Sequence, residues 1–528
     1  MIRTICVVAV MLPAFSAQLF GEAAPAAKAG DLVFATGFEE PKALDGWSVH
    51  GGTLDAGCES AKALCVTLAA GPGNSASIER PLAVDRVRGC KLLLSAMVKA
   101  EGVSAKPQSW NGIKFMMPMT AGGGKLWPQV PVAVGTFGWR RIVWQTYVPD
   151  DATQASLVLG LENVTGRVWF DDIKITVRRA PYVGKPRAAE GPAYKGHPLP
   201  RLRGAMISPN IDEDGLRTLG RVWNANLIRW QLIHTGRADP IKTPADYDVW
   251  LDGELKKLDA AIPLCEKYGI YVVLDLHSPP GGKSTAGGYS GSDDRLFTDK
   301  ACQDKFVEVW QRMARRYRSA KVIWGYDLAN EPVEGALAEG CDDWQGLAER
   351  AAKAIRAIDP ERAIIVEPAN WGGPDGLKEL QPLDVPNVVY SAHMYVPHAF
   401  THQGVFDDGK KQYVYPGTIE GKLWDKAALE AALKPVVEFQ QKNNVHIYLG
   451  EFSAIRWAPD GSACRYLKDL IDIFESRGWD WTYHAFREWQ GWSAEHGPDK
   501  ADSKPAAQPT DRERLLREWY AKNEKPRW

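Results

Sequence analysis

The chain has 528 residues, more than one hydrophobic core accommodates, so two or more domains are expected. Its 64 Lys+Arg against 65 Asp+Glu leave a formal net charge of −1, which argues against nucleic acid or an anionic membrane as a partner. Hydrophobic content of 45% is that of an ordinary soluble chain, whereas 21 Trp residues are a surplus, and flat apolar rings carrying an N–H suit the stacking of sugars.

The chain opens with Arg3, the apolar run Ile5–Ala17 and small residues around Gly21–Ala24, the pattern of a signal peptide cleaved near Ala23. Residues 1–23 are therefore read as a leader, and the mature protein as secreted or periplasmic. The opening run is too short to span a membrane, and no later segment qualifies. Cys6 leaves with the leader, and the seven remaining cysteines cannot all pair. Cys58 with Cys65, and Cys302 with Cys341, are the candidate bridges. No CxxC pair or His/Cys cluster has zinc spacing.

Residues 31–178 read as all-β. Alternating runs at Ala63–Leu68, Lys91–Val98, Arg140–Tyr147 and Ser156–Leu161 lie between Gly, Pro and Asn/Asp clusters, which predicts a sandwich. The last run, Val168–Val177, contains adjacent Asp171 and Asp172, which cost stability in an apolar strand unless partnered. A hard cation such as calcium would partner them, with Glu39 and Glu40 as co-ligands if the two ends of the domain meet. Alternatively, one Asp faces water and the other caps a turn. GFEE followed by Trp47, FGWRRIVWQTYVP and GRVWFDDIKI resemble the jelly-roll-like sandwich modules that bind carbohydrate beside secreted glycanases. That resemblance implies a structural calcium at the closing Asp and the early Glu, with Trp139 and Trp169 as scaffold. Trp110 and Trp127, in loops rich in Gly, Pro and Ser, are then the stacking candidates.

Residues 179–200, with Pro at 181, 186, 192, 198 and 200, form a semi-rigid linker. From Leu202 apolar runs alternate with amphipathic ones. Strands are predicted at Arg203–Ile207, Asn226–Leu232, Tyr271–His277, Val322–Ala329, Ala363–Pro368, Val388–Tyr395, His446–Phe452 and Trp481–Phe486. Helices are predicted at Asp214–Trp223, Tyr247–Tyr268, Asp299–Tyr317, Asp343–Ile358, weakly near Asp375–Leu380, and at Lys426–Asn443, Ser462–Arg477 and Arg512–Ala521. Eight such pairs over residues 201–528 fit an α/β (β/α)₈ TIM barrel. An open doubly wound sheet would carry a Gly-rich phosphate turn after its first strand, and none is present.

In such a barrel the strand ends share one bowl. Arg229, His277, Asn330, Glu331, His393, Tyr395 and Glu451 then gather at a single rim, with Glu367 and Glu488 as competing carboxylates. Two carboxyl groups flanking one bond are what glycoside hydrolysis needs. LIRWQL, YVVLDLHSPPGG, VIWGYDLANEP, SAHMYVPH, YLGEFS and YHAFREWQGW, in this order, make Leu202–Trp492 resemble the catalytic barrel of glycoside hydrolase family 5. The resemblance implies retaining hydrolysis of a polysaccharide, with no catalytic cofactor, by a monomer. It places the acid/base at Glu331 and the nucleophile at Glu451, with Glu331 kept protonated by burial or by its neighbour. It gives Asn330 the sugar 2-hydroxyl and Arg229 the task of keeping Glu451 ionised. His277, His393 and Tyr395 line the subsite at the cleaved bond. The strand-eight sugar platform falls to Trp489, with Phe486 or Trp492 as a shifted frame. β-Glucan is the first expectation for substrate, with mannan, xylan-type chains or glycolipid sugars as alternatives. Two rival readings are a non-catalytic polysaccharide-binding protein with a decayed barrel, and a metal-dependent hydrolase. The second would want an HxH pair near the first strand, where there is no His.

Overall fold

Alternation of apolar and polar residues organises the first part of the chain into two antiparallel sheets of six strands. The computed structural model describes residues 27–182, 197–234, 241, 243–282, 293–406 and 409–528. The leader 1–23 and most of the linker 179–200 lie outside them. One sheet runs Gly135–Tyr147, Lys91–Val103, Gly166–Arg179, Ala63–Leu68, Gly52–Asp55, with Leu32–Thr36 also paired to Gly166–Arg179. The other runs Ser48–His50, Ser75–Pro81, Gln154–Glu162, Met119–Ala121, Gly124–Leu126, with Gly112–Met116 paired to Gln154–Glu162. Phe115 of one sheet meets Phe170 of the other edge-on at 6.4 Å. Trp169 is buried with its indole N–H on Asp55. Trp110 and Trp127 are each 57% exposed.

Asp171 and Asp172 sit where Gly166–Arg179 leaves one partner for another. Its pairing with Ala63–Leu68 ends at Phe170, and its pairing with Leu32–Thr36 begins at Ile173. Asp172 takes φ +44° there and is exposed, while Asp171 is buried. Asp171 accepts hydrogen bonds from the Cys58 amide (2.8 Å), the Ser60 hydroxyl (2.6 Å) and the Asp172 amide (2.7 Å). Glu39 accepts from the Lys62 amide at 2.7 Å. Asp171 and Glu39 thereby tie the loop at 58–62 to the last and first parts of the sandwich by hydrogen bonds. Cys58, Cys65 and Cys302 carry free thiols, so neither candidate bridge forms.

The second part closes a parallel barrel of eight strands: β1 (Arg203–Ile207), β2 (Leu227–Gln231), β3 (Tyr271–Asp275), β4 (Ile323–Asp327), β5 (Ala363–Val366), β6 (Val388–Met394), β7 (His446–Phe452) and β8 (Asp480–Phe486). Every strand expected from the pattern is present, within a few residues at its ends. Leu227, Tyr271, Val273, Trp324, Ala363, Ile365, Val389 and Tyr448, from six different strands, meet in one cluster that fills the interior. One expected helix is divided: Lys426–Ala432 stops and Lys434–Asn443 begins anew, with Pro435 in its first turn. Proline has no N–H to give to the preceding turn, so it starts a helix more readily than it continues one. No helix among the described residues is long and apolar enough to cross a membrane.

Candidate active site

Two irregularities in the ladder aim side chains into the bowl. Along β4, Val272 pairs with Ile323 but Val273 pairs with Gly325, so Trp324 is an extra residue. Along β7, Ala392 pairs with Leu449 but His393 pairs with Glu451, so Gly450 is extra. A bulge reverses the inward and outward alternation beyond it. Trp324 and Tyr448 therefore face the interior lower down, and Asp327 and Glu451, three residues on in each strand, face it again at the top.

Arg229 on β2 is the centre of the resulting network and is fully buried. Its Nη1 donates to Glu451 Oε1 at 2.5 Å, its Nε to Asp327 at 3.0 Å, and its Nη2 to Glu367 at 2.9 Å and Asn330 Oδ1 at 3.1 Å. Asp275 lies 3.1 Å from the same Nη2. One guanidinium thus faces four carboxylates and does not neutralise them all. Asp327 yields: burial first, then Glu367 and Asp275, push it well above the usual carboxylate range despite Arg229. Glu451 goes the other way. Burial alone would raise it, but His393, His484 and Arg229 outweigh burial and hold it well below that range.

Glu331 follows β4 with φ +44° and is anchored by its own amide, which donates to Glu367 Oε2 at 2.7 Å. His393 Nδ1 donates to Glu331 Oε1 at 3.0 Å and lies 3.8 Å from Glu451 Oε2. An oxygen of Glu331 and one of Glu451 come within 4.8 Å of each other, with His393 between them. Burial would pull the His393 imidazole down, but Glu367, Glu451 and Glu331 lift it well above its ordinary value. His277 Nδ1 donates to Asp275 at 2.8 Å and its Nε2 accepts from the Asn330 amide at 3.1 Å, which leaves Asn330 one further N–H. The Tyr395 hydroxyl donates to Glu451 Oε2 at 2.9 Å.

All seven residues expected at the rim from β2 to β7 are therefore brought together. The eighth, Trp489, stands apart. It is 39% exposed and meets Trp457 and Trp492 edge-on at 6.0 and 5.5 Å. Trp492 and Phe486 are buried. Trp492 is the ring that reaches inward, 6.0 Å from Tyr395 and 5.7 Å from His484.

Three residues of the site, Asp275, Asp327 and His484, escaped the sequence reading, and a fourth, Glu367, was read there only as a competing rim carboxylate. Asp275 and Asp327 lie inside apolar strands, a costly placement that was itself a signal of buried partners. Glu367 is not a rival acid but a fully buried strut that joins Arg229, the Glu331 amide and, at 3.1 Å, His393 Nε2. His484 lies within β8, two residues before its end. Its Nδ1 lies 2.5 Å from the Tyr395 hydroxyl and its Nε2 2.9 Å from Glu488. Glu488 is thereby bound to an imidazole rather than competing for the bowl.

Among the described residues, two groups of three His, Asp or Glu converge: Glu331, His393 and Glu451 here, and His197, His446 and Asp480 at the opposite end of the strands. In the second, both imidazoles sit on Asp480 Oδ2, at 2.8 and 2.7 Å. Hydrogen bonding between imidazole and carboxylate accounts for both groupings.

Residues 193–490 match the family described as Cellulase (glycosyl hydrolase family 5). Endoglucanase C of Acetivibrio thermocellus is 30% identical over 274 residues, 45% of this chain and 76% of that protein. Cellodextrinase A of Ruminococcus flavefaciens is 26% identical over 250 residues, 46% of this chain and 72% of that protein. A Thermotoga maritima Cel5A structure in complex with cellobiose aligns at 23% identity and a TM-score of 0.47, over 62% of this chain and 99% of that one. With its closed eight-stranded barrel, the chain belongs to glycosyl hydrolase family 5 and is a glycoside hydrolase.

Proposed function

We propose that the chain is a secreted endo-β-glycanase that cleaves a β-glucan with retention, by double displacement between Glu331 and Glu451. The observation that carries this reading is the pair of carboxylates within 4.8 Å of each other, one on a cationic grip and the other on an imidazole. Retaining enzymes hold their two carboxyl groups about 5–5.5 Å apart, whereas inverting ones leave about 6.5–9.5 Å for a water. Glu451, anionic through neutral pH, attacks the anomeric carbon. The proton for the departing oxygen belongs to the Glu331–His393 pair. Deprotonated Glu331 then draws a proton from the water that releases the sugar. Asn330 turns its remaining N–H toward the 2-hydroxyl, and His277 keeps that amide in place. Every group named comes from one chain, so a monomer suffices.

The apolar run and small residues read as a leader at 1–23 support export. We extend the reading to the sandwich, where exposed Trp110 and Trp127 would stack against the same glycan. Lys114 and Gln129 both bond to the Trp110 carbonyl, which ties the two Trp-bearing loops to each other. Trp110→Ala with Trp127→Ala is expected to weaken retention on insoluble cellulose without changing the rate on soluble substrate; unchanged retention refutes that part. The central test pairs Glu451→Ala on cellulose derivatives and mixed-linkage glucan with the wild type, whose first product is read for its anomer by NMR. Loss of turnover in the variant and a β-configured first product from the wild type are expected. Near wild-type activity in the variant, or an α-configured product from the wild type, overturns the assignment.

A further inference from the structure

The two oxygens of Glu451 are held by different groups. Oε1 takes Arg229. Oε2 takes the Tyr395 hydroxyl and lies 3.5 Å from His484 Nδ1. We propose that His484 and Glu488 form a positioning dyad that, through the Tyr395 hydroxyl, aims and steadies the second oxygen of the nucleophile. This rests on the reading of Glu451 as nucleophile.

Proton counting leads to the dyad. Tyr395 has one proton, and giving it to Glu451 leaves its oxygen able only to accept. His484 Nδ1, 2.5 Å away, must then donate. Nε2, 2.9 Å from Glu488, must donate as well. Both ring nitrogens donate only in the imidazolium. Glu488 and Glu451 face this ring as anions, Arg229 adds positive charge at longer range, and the Trp492 ring stands 5.7 Å away. His402, pushed down to about 3 by burial and by the neighbouring His398 and His484, is uncharged here. Burial opposes the charge on His484, but the two carboxylates prevail and raise it above its ordinary value. Glu488 is itself held low, because His484 and Gln231 outweigh its burial.

The arrangement fails in one direction only. As pH rises through the raised value of His484, Nδ1 loses its proton and becomes an acceptor. Glu451 and His484 then compete for the single Tyr395 proton, and the grip on Oε2 slackens. An alkaline limb of activity results, independent of Glu331.

Dinitrophenyl β-cellobioside isolates that limb, because its leaving group needs no acid. Glu488→Gln removes an anion from His484, and a charge that close typically moves a titration by about 1–3 units. The alkaline limb of kcat/KM should therefore fall at a pH at least about one unit lower than in the wild type. His484→Asn offers a non-titrating N–H near the Nδ1 position and should abolish the limb. His484→Leu should lower kcat about tenfold or more with KM little changed, and Asn should recover most of that loss. Coincident limbs in the wild type and Glu488→Gln, or equal losses in Asn and Leu, overturn the dyad. If the Leu variant does not fold, the other two decide. Glu451→Ala assayed with and without azide separates the two readings. Turnover without azide removes the nucleophile assignment itself. Azide-dependent turnover alongside an unmoved Glu488→Gln limb removes only the dyad.

Discussion

Gly450 is the residue on which the aim of the nucleophile turns. Its backbone angles suit any residue, so Gly450→Ala is decided by contact alone. An added methyl would stand 2.8 Å from Ser391 Oγ, 2.9 Å from His393 Nε2 and 3.3 Å from His393 Cδ2. Ordinary contact begins near 3.4 Å, so the imidazole has to recede by about half an ångström in a packed interior. That ring donates to Glu331 at 3.0 Å and braces Glu367, so its displacement loosens the acid and its strut together. Overpacking of this kind typically costs about 1–3 kcal/mol, and a 1 Å misplacement near the chemistry can cost about 100-fold in rate. Gly450→Ala is expected to lower the melting temperature by a few degrees and kcat by roughly 10- to 100-fold, with KM nearly unchanged. Calorimetry and steady-state kinetics on a soluble glucan measure both. Wild-type kcat with an unaltered melting temperature would refute the claim that His393 has no room to yield.

Glu331→Gln should lose about 10²–10⁴-fold on polysaccharide and far less on an aryl glycoside with a good leaving group, because only the first needs the proton. Equal losses on both substrates would contradict its role as acid. EDTA should leave both the melting temperature and the activity unchanged, since Asp171 and Glu39 already take amide and hydroxyl donors. A melting temperature that drops on chelation and returns with calcium would refute this and establish a bound cation.

Much of the barrel was legible because its signals are local. Apolar strands of five to eight residues separated by amphipathic stretches report each element's burial without reference to the rest. The residue types at the strand ends, Asn330-Glu331 and Glu451 above all, showed which chemistry the bowl holds. The divided helix at Leu433 was also written locally, in Pro435, and was passed over because the amphipathic pattern runs through it.

By itself, the sequence determined the order of the strands, their apolar character and the set of polar groups at their ends. Only the tertiary structure decided which way those groups point. A strand's alternation has a period of two, and one extra residue opposite a partner strand turns everything beyond it to the other face. Trp324 and Gly450 are such residues, and nothing within their own segments marks them as unpaired. The same holds for Glu367, a rim carboxylate like any other until Arg229, His393 and the Glu331 amide close around it, and for His484, whose partners Tyr395 and Glu488 arrive from β6 and from beyond β8. Local periodicity sets what can be buried, and pairing between distant strands sets where each charge is aimed.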